Sequence, residues 1–106
     1  MKKIKTVFII AGTLILIGSL HSDQKEYLFE QGNAFFENQE YTQAIDTYAE
    51  IIAMGYESFE LYYNLGNAYY KTGDFARAIL NYERALRLQP QDEDIRFNLE
   101  IARMTL

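Results

Sequence analysis

Gly32-Asn33-Ala34-Phe35-Phe36 returns 34 residues later as Gly66-Asn67-Ala68-Tyr69-Tyr70. The agreement extends outward on both sides. Tyr41, Ala44-Ile45 and Tyr48 return as Phe75, Ala78-Ile79 and Tyr82. Two in-register copies thus run from Lys25 to Ser58 and from Phe59 to Asp92. A fixed period of this length marks stacked helical hairpins, each burying its apolar face against its neighbours. Within each copy the apolar residues fall at i, i+3, i+4 and i+7, which is helical spacing. Leu61, Leu65, Ala68 and Tyr69 make one stripe, and Phe75, Ala78, Ile79 and Tyr82 make the next.

The link between the stripes, Lys71-Thr72-Gly73-Asp74, predicts an antiparallel pair. Gly73 suits a left-handed residue that ends a helix, and Asp74 suits the cap of the following one. Gly66 and Ala78 are small enough to let the paired backbones approach, with Tyr69, Phe75 and Tyr82 filling the space around the crossing. The first copy spells its turn Asn38-Gln39-Glu40, so Gln39 must bear a left-handed backbone without glycine's freedom. Gly55 is placed to close the second helix of that copy, and Ser58 to cap the next.

Both copies resemble tetratricopeptide repeats. The second carries Tyr62, Leu65-Gly66, Tyr69, Phe75, Ala78, Tyr82, Ala85 and Pro90 at the positions of the family pattern. The first carries Leu28, Gln31-Gly32, Phe35, Tyr41, Ala44, Tyr48 and Ile51. It departs from the pattern at Gln31, at Gln39 and in lacking the closing proline. The resemblance implies an all-α, right-handed α-solenoid of two hairpins, 25–58 and 59–92. Residues 93–106 would then form a capping helix or the start of a truncated third repeat. Asp92-Glu93-Asp94 places acid at the start of that helix, where the macrodipole favours it. Ile95, Leu99 and Ala102 would face the second hairpin, and the chain would break off at Leu106 in mid-helix.

Residues 1–22 are a different kind of segment. Lys2, Lys3 and Lys5 precede an uncharged, mostly apolar run from Thr6 to Leu20. That pattern reads as a signal peptide or an uncleaved signal anchor. In either case the lysines stay cytoplasmic and the repeats are exported, to a periplasmic or membrane-anchored position. No cysteine is present, so neither lipid attachment nor a disulfide is available.

Composition argues against chemistry. His21, the single histidine, lies at the signal boundary, and Ser58 is the only serine beyond Asp23. Ser-His-Asp and Cys-His arrangements are therefore excluded. No metal and no cofactor is expected, since the Asp92-Glu93-Asp94 run lacks the alternating ligands and glycine of a calcium loop. Beyond residue 22 the chain carries seven basic and fifteen acidic side chains, a net charge of −8. That balance disfavours nucleic acid and anionic lipid. A membrane is reached only through the N-terminal segment or through segments downstream. The acid is uneven: residues 25–58 sum to −6 and residues 59–92 to zero.

What remains is binding of a protein or peptide. The first helix of each hairpin should line the inner wall of the stack. Phe29, Asn33 and Phe36 fall there in the first copy, Tyr63, Asn64, Asn67, Tyr70 and Lys71 in the second, and Phe97, Asn98 and Ile101 in the last helix. Asparagine carries a donor and an acceptor and can pair with a peptide unit of any sequence. Flanking aromatics give flat apolar contacts at low entropic cost. The family's carboxylate-clamping groove is not expected. Asn33 and Asn64 match its asparagines, but Phe29, Asp94 and Asn98 stand where Lys or Arg is required.

A narrower resemblance rests on Tyr63-Asn64-Leu65-Gly66-Asn67-Ala68-Tyr69-Tyr70-Lys71, on Asn81-Tyr82-Glu83-Arg84-Ala85-Leu86 and on Asp94 to Arg103. These runs are similar to repeat proteins of the bacterial aerotolerance operon, in which a signal precedes few repeats. Longer members continue into membrane helices and an SH3-like domain. That resemblance implies scaffolding within an envelope complex. The alternative is a structural module packing against other domains or other copies.

Overall fold

The computed structural model describes residues 23–106, so the signal or anchor expected at 1–22 lies outside the described residues. Every regular element among them is helical: α1 over 23–37, α2 Tyr41–Ala53, α3 Phe59–Lys71, α4 Phe75–Leu88 and α5 Glu93–Thr105. None of these helices is long and apolar enough to cross a membrane.

The starts and stops are local chemistry. Ser58, in extended backbone, accepts from the Leu61 amide at 3.1 Å and starts α3. Asp74 accepts from the Arg77 amide at 3.1 Å and starts α4, while its other oxygen pairs with the Arg77 guanidinium at 2.6 Å. Asp92 accepts from the Ile95 amide at 3.0 Å and starts α5. Each bond satisfies one of the amides that a helix start leaves unpaired. Glu40, at the start of α2, makes no such bond.

Three helices stop in the same way. After α1, α2 and α3 the chain turns through Gln39, Gly55 and Gly73, at φ of 62°, 93° and 83°. In each, paired backward bonds close the last turn: Gln39 to Phe36 and Glu40 to Phe35, Gly55 to Ile52 and Tyr56 to Ile51, Gly73 to Tyr70 and Asp74 to Tyr69. Gly55 thus ends α2 as expected. α4 stops differently, at Gln89 before Pro90, which cannot continue a helix.

The buried residues form two clusters. The first holds Leu28, Ala44, Tyr48, Ile51, Leu61, Leu65 and Ala68. The second holds Tyr62, Ala78, Tyr82, Ala85, Ile95, Leu99 and Ala102. Member for member, the second list is the first moved by 34 positions. Each core therefore comprises one hairpin and the leading helix of the next unit, and α5 serves the second hairpin as α3 serves the first. Gly32 and Gly66 sit where Tyr48 and Tyr82 cross. A Cβ on Gly32 would stand 2.5 Å from the Tyr48 ring, and one on Gly66 2.7 Å from the Tyr82 ring and 3.3 Å from the Ala78 carbonyl. Only hydrogen fits at those distances.

Candidate functional site

The leading helices α1, α3 and α5 line a groove made of two adjoining cavities. One, of about 300 Å³, is bounded by Asn33, Phe36, Glu37, Tyr48, Asn64 and Asn67. The other, of about 380 Å³, is bounded by Phe36, Asn67, Tyr70, Lys71, Tyr82, Asn98 and Ile101. Phe36 and Asn67 belong to both and make the groove continuous.

Its floor is a polar module used twice. The Tyr48 hydroxyl donates to Asn33 Oδ1 at 2.6 Å, and Asn64 Nδ2 donates to the same oxygen at 3.1 Å. In the second repeat the Tyr82 hydroxyl donates to Asn67 Oδ1 at 2.5 Å, and Asn98 Nδ2 donates to it at 3.1 Å. Asn98 also donates to the Tyr63 hydroxyl at 2.9 Å. Each module joins the two helices of a hairpin to the first helix of the next. Burial pushes the Tyr48 hydroxyl up to about 12 and raises that of Tyr82 as well, so both remain neutral donors at ordinary pH.

This changes the role of the asparagines. Asn33 and Asn67 were expected to offer both donor and acceptor to a ligand, but each carbonyl oxygen already accepts two internal bonds. Among the described residues, what they still offer is an amide donor, while Asn64 and Asn98 retain their carbonyl acceptors. Both halves of a peptide unit can still be met, each by a different asparagine. The flanking aromatics are held in place too. Phe36 meets Tyr41 edge-on, with ring centroids 5.2 Å apart, and Tyr70 meets Phe75 at 5.2 Å.

Asn33, Phe36, Asn64, Asn67, Tyr70, Lys71 and Asn98 thus come together in the groove, and Ile101 joins them. Three expected residues are placed differently. Tyr63 packs on Tyr82, with centroids 6.0 Å apart, and spends its hydroxyl on Asn98. Phe29 packs on Tyr48 at 6.1 Å and lines a separate cavity. Phe97 is 65 % exposed and borders none of the cavities described here. Its counterparts Phe29 and Tyr63 lean on the tyrosine of their own hairpin's second helix, a partner that Phe97 does not have among the described residues. Sequence reading missed Glu37, Tyr48 and Tyr82 as lining residues. The tyrosines read as core, and only the shared spacing of Asn33–Tyr48 and Asn67–Tyr82 signalled their second role.

A family model described as tetratricopeptide repeat matches residues 29–93. Comparison with the curated proteins gives no match. Among solved structures, the chain is similar to the TPR domain of Sgt2 from Aspergillus fumigatus. The TM-score is 0.70 at 26% identity over 76% of this chain, which spans about half (54%) of that one. The family model covers most of the chain, the periodic cores and the shared stops reproduce a repeat architecture, and the fold is that of a general protein-interaction module: the chain belongs to the tetratricopeptide repeat family.

Proposed function

We propose that this chain is a non-catalytic scaffold, exported to the cell envelope, that takes an extended segment of a protein partner into the groove lined by α1, α3 and α5. The observation carrying this reading is the repeated tyrosine–asparagine module, which fixes an outward amide donor and a neighbouring carbonyl acceptor in each repeat. Packed helices lie roughly 8–10 Å apart, and an extended peptide advances about 3.3 Å per residue. One backbone unit in three would therefore meet a module. Phe36, Tyr70 and Ile101 would cover the partner's apolar side chains. Export rests on the basic-then-apolar pattern of residues 1–22, and a place in an aerotolerance-type membrane complex rests on the runs around Tyr63–Lys71 and Asp94–Arg103.

The test must remove the outward donor without disturbing the module. Asn33→Asp together with Asn67→Asp keeps an oxygen acceptor for each tyrosine and deletes each amide. Partner capture from envelope extract should fall about tenfold or more, as for loss of two peptide hydrogen bonds, with helical circular dichroism unchanged. Capture of the same partner at full strength would remove the groove from the account. A second reading, self-association, is favoured by Phe97 and Met104 on α5 and by Leu106 beside them, all exposed. Light scattering that shows dimers growing with concentration, together with intact capture by the double variant, would support it.

A further inference from the structure

The cavity that Phe29 lines is not part of the groove. It measures about 400 Å³ and lies among α1, the α2–α3 connection and the start of α3. Its floor is apolar, built from Phe29, Ile51, Tyr56 and Leu61, and its rim carries the carboxylates of Glu26, Glu57 and Glu60. The internal repeat shows what such a place holds when filled. Lys25, on the rim here, has Phe59 as its counterpart 34 residues on, and Phe59 packs against the second core. In the first repeat lysine replaces that phenylalanine. Its ammonium stands 4.7 Å above the Tyr56 ring and 3.8 Å from Glu26, and Phe29 and Tyr56 stay half-buried above the buried Ile51 and Leu61.

The surrounding charge sets the chemistry of the occupant. Glu57 accepts from the Tyr62 hydroxyl at 2.9 Å and lies 3.8 Å from Arg87. Glu26 pairs with Lys25 at 3.8 Å, and Glu60 has no charged partner within 4 Å among the described residues. The end of α2 and the start of α3 contribute roughly half a charge each, of opposite sign, and cancel. The whole first repeat sums to −6. An aromatic side chain would fill the floor, and cations beside it would answer the rim. We propose that this cavity is a docking site for a basic segment of a partner protein that inserts an aromatic side chain where the second repeat inserts Phe59.

The test uses the full chain in detergent micelles and a short fluorescent peptide with one phenylalanine between lysines. Anisotropy should report binding at low salt that weakens as salt screens the rim. Replacing the peptide's lysines with glutamates, or its phenylalanine with alanine, should abolish it. Lys25→Phe should plug the cavity as Phe59 does, weakening the peptide about tenfold while melting temperature holds or rises. Glu60→Gln should weaken it about threefold, in line with one exposed ion pair. The groove variant Asn33→Asp with Asn67→Asp should bind this peptide normally, which separates the two sites. Equal binding by Lys25→Phe, or by the acidic peptide, would overturn the assignment. So would dimers of the unliganded chain that Lys25→Phe dissolves, since the occupant would then be a second copy.

Discussion

Gln39 holds a left-handed backbone, φ 62°, where its counterpart in the second repeat is Gly73 at 83°. A side chain there clashes with its own carbonyl by roughly 1–2 kcal/mol, whereas glycine is unstrained. Gln39→Gly should therefore raise stability by about 1 kcal/mol, measured as a higher urea midpoint with unchanged slope. No increase would mean that the hydrogen bonds of the turn already absorb the strain. Asn81 is the complementary case. It is buried, its Nδ2 donates to the Arg77 carbonyl at 2.9 Å, and its Oδ1 has no partner among the described residues. Its counterpart Thr47 donates to the Gln43 carbonyl at 2.8 Å and leaves no buried amide oxygen behind. Asn81→Thr should stabilise by about 1 kcal/mol, the cost of one unsatisfied acceptor. A fall in melting temperature would show that the amide packs in a way threonine cannot. Gln39 was legible in the sequence, because the register assigns it to a glycine position. Asn81 was not, because a lone polar residue on a helix gives no sign of which neighbour will cover it.

At the scale of the helices, the periodic pattern made the hairpins, their stops and both cores readable, since burial repeats with the period. The wall of the groove was readable in part. Asn33 and Asn67 could be placed on it, but their bonds to Tyr48 and Tyr82 reach across to the second helix of each hairpin, and one helical stripe does not contain that information. Those bonds have a pH signature. In the folded chain burial raises the Tyr48 hydroxyl from 10.0 to about 12 and raises Tyr82 in the same direction. Between these limits the unfolded chain has released protons that the folded chain keeps, so stability falls as pH rises. The contribution is whole below about pH 10 and lost through about pH 12. Part of the tyrosinate absorbance should then appear only together with loss of helical circular dichroism. Tyr48→Phe with Tyr82→Phe should remove that delayed part. Its survival in the double variant would assign it to other tyrosines.

Across the whole molecule, the two cores meet at α3, with Ile52 of α2 also packed against both. Leu61, Leu65 and Ala68 serve the first, and Tyr62, about a quarter turn round the helix, serves the second. Stability in such a stack is a sum of unit and neighbour terms rather than one global quantity. A core of this size holds only ~3–5 kcal/mol in reserve. Leu99 is buried on α5 and belongs to the second core alone. Truncating it should cost about 2–5 kcal/mol, enough to open α4 and α5. The first core draws on α1, α2 and α3, and only its margin, where Ile52 and Tyr69 also touch the second core, loses contacts. Native-state hydrogen exchange on Leu99→Ala should therefore show protection in α4 and α5 falling by about thirtyfold or more, the equivalent of roughly 2 kcal/mol. Amides of α2 should fall much less. Leu65→Ala, the same change one repeat earlier, removes a residue of the first core from the helix both cores share, so it should lower protection throughout. If Leu99→Ala lowered all helices equally, the two hairpins would form one cooperative unit rather than two separately opening cores.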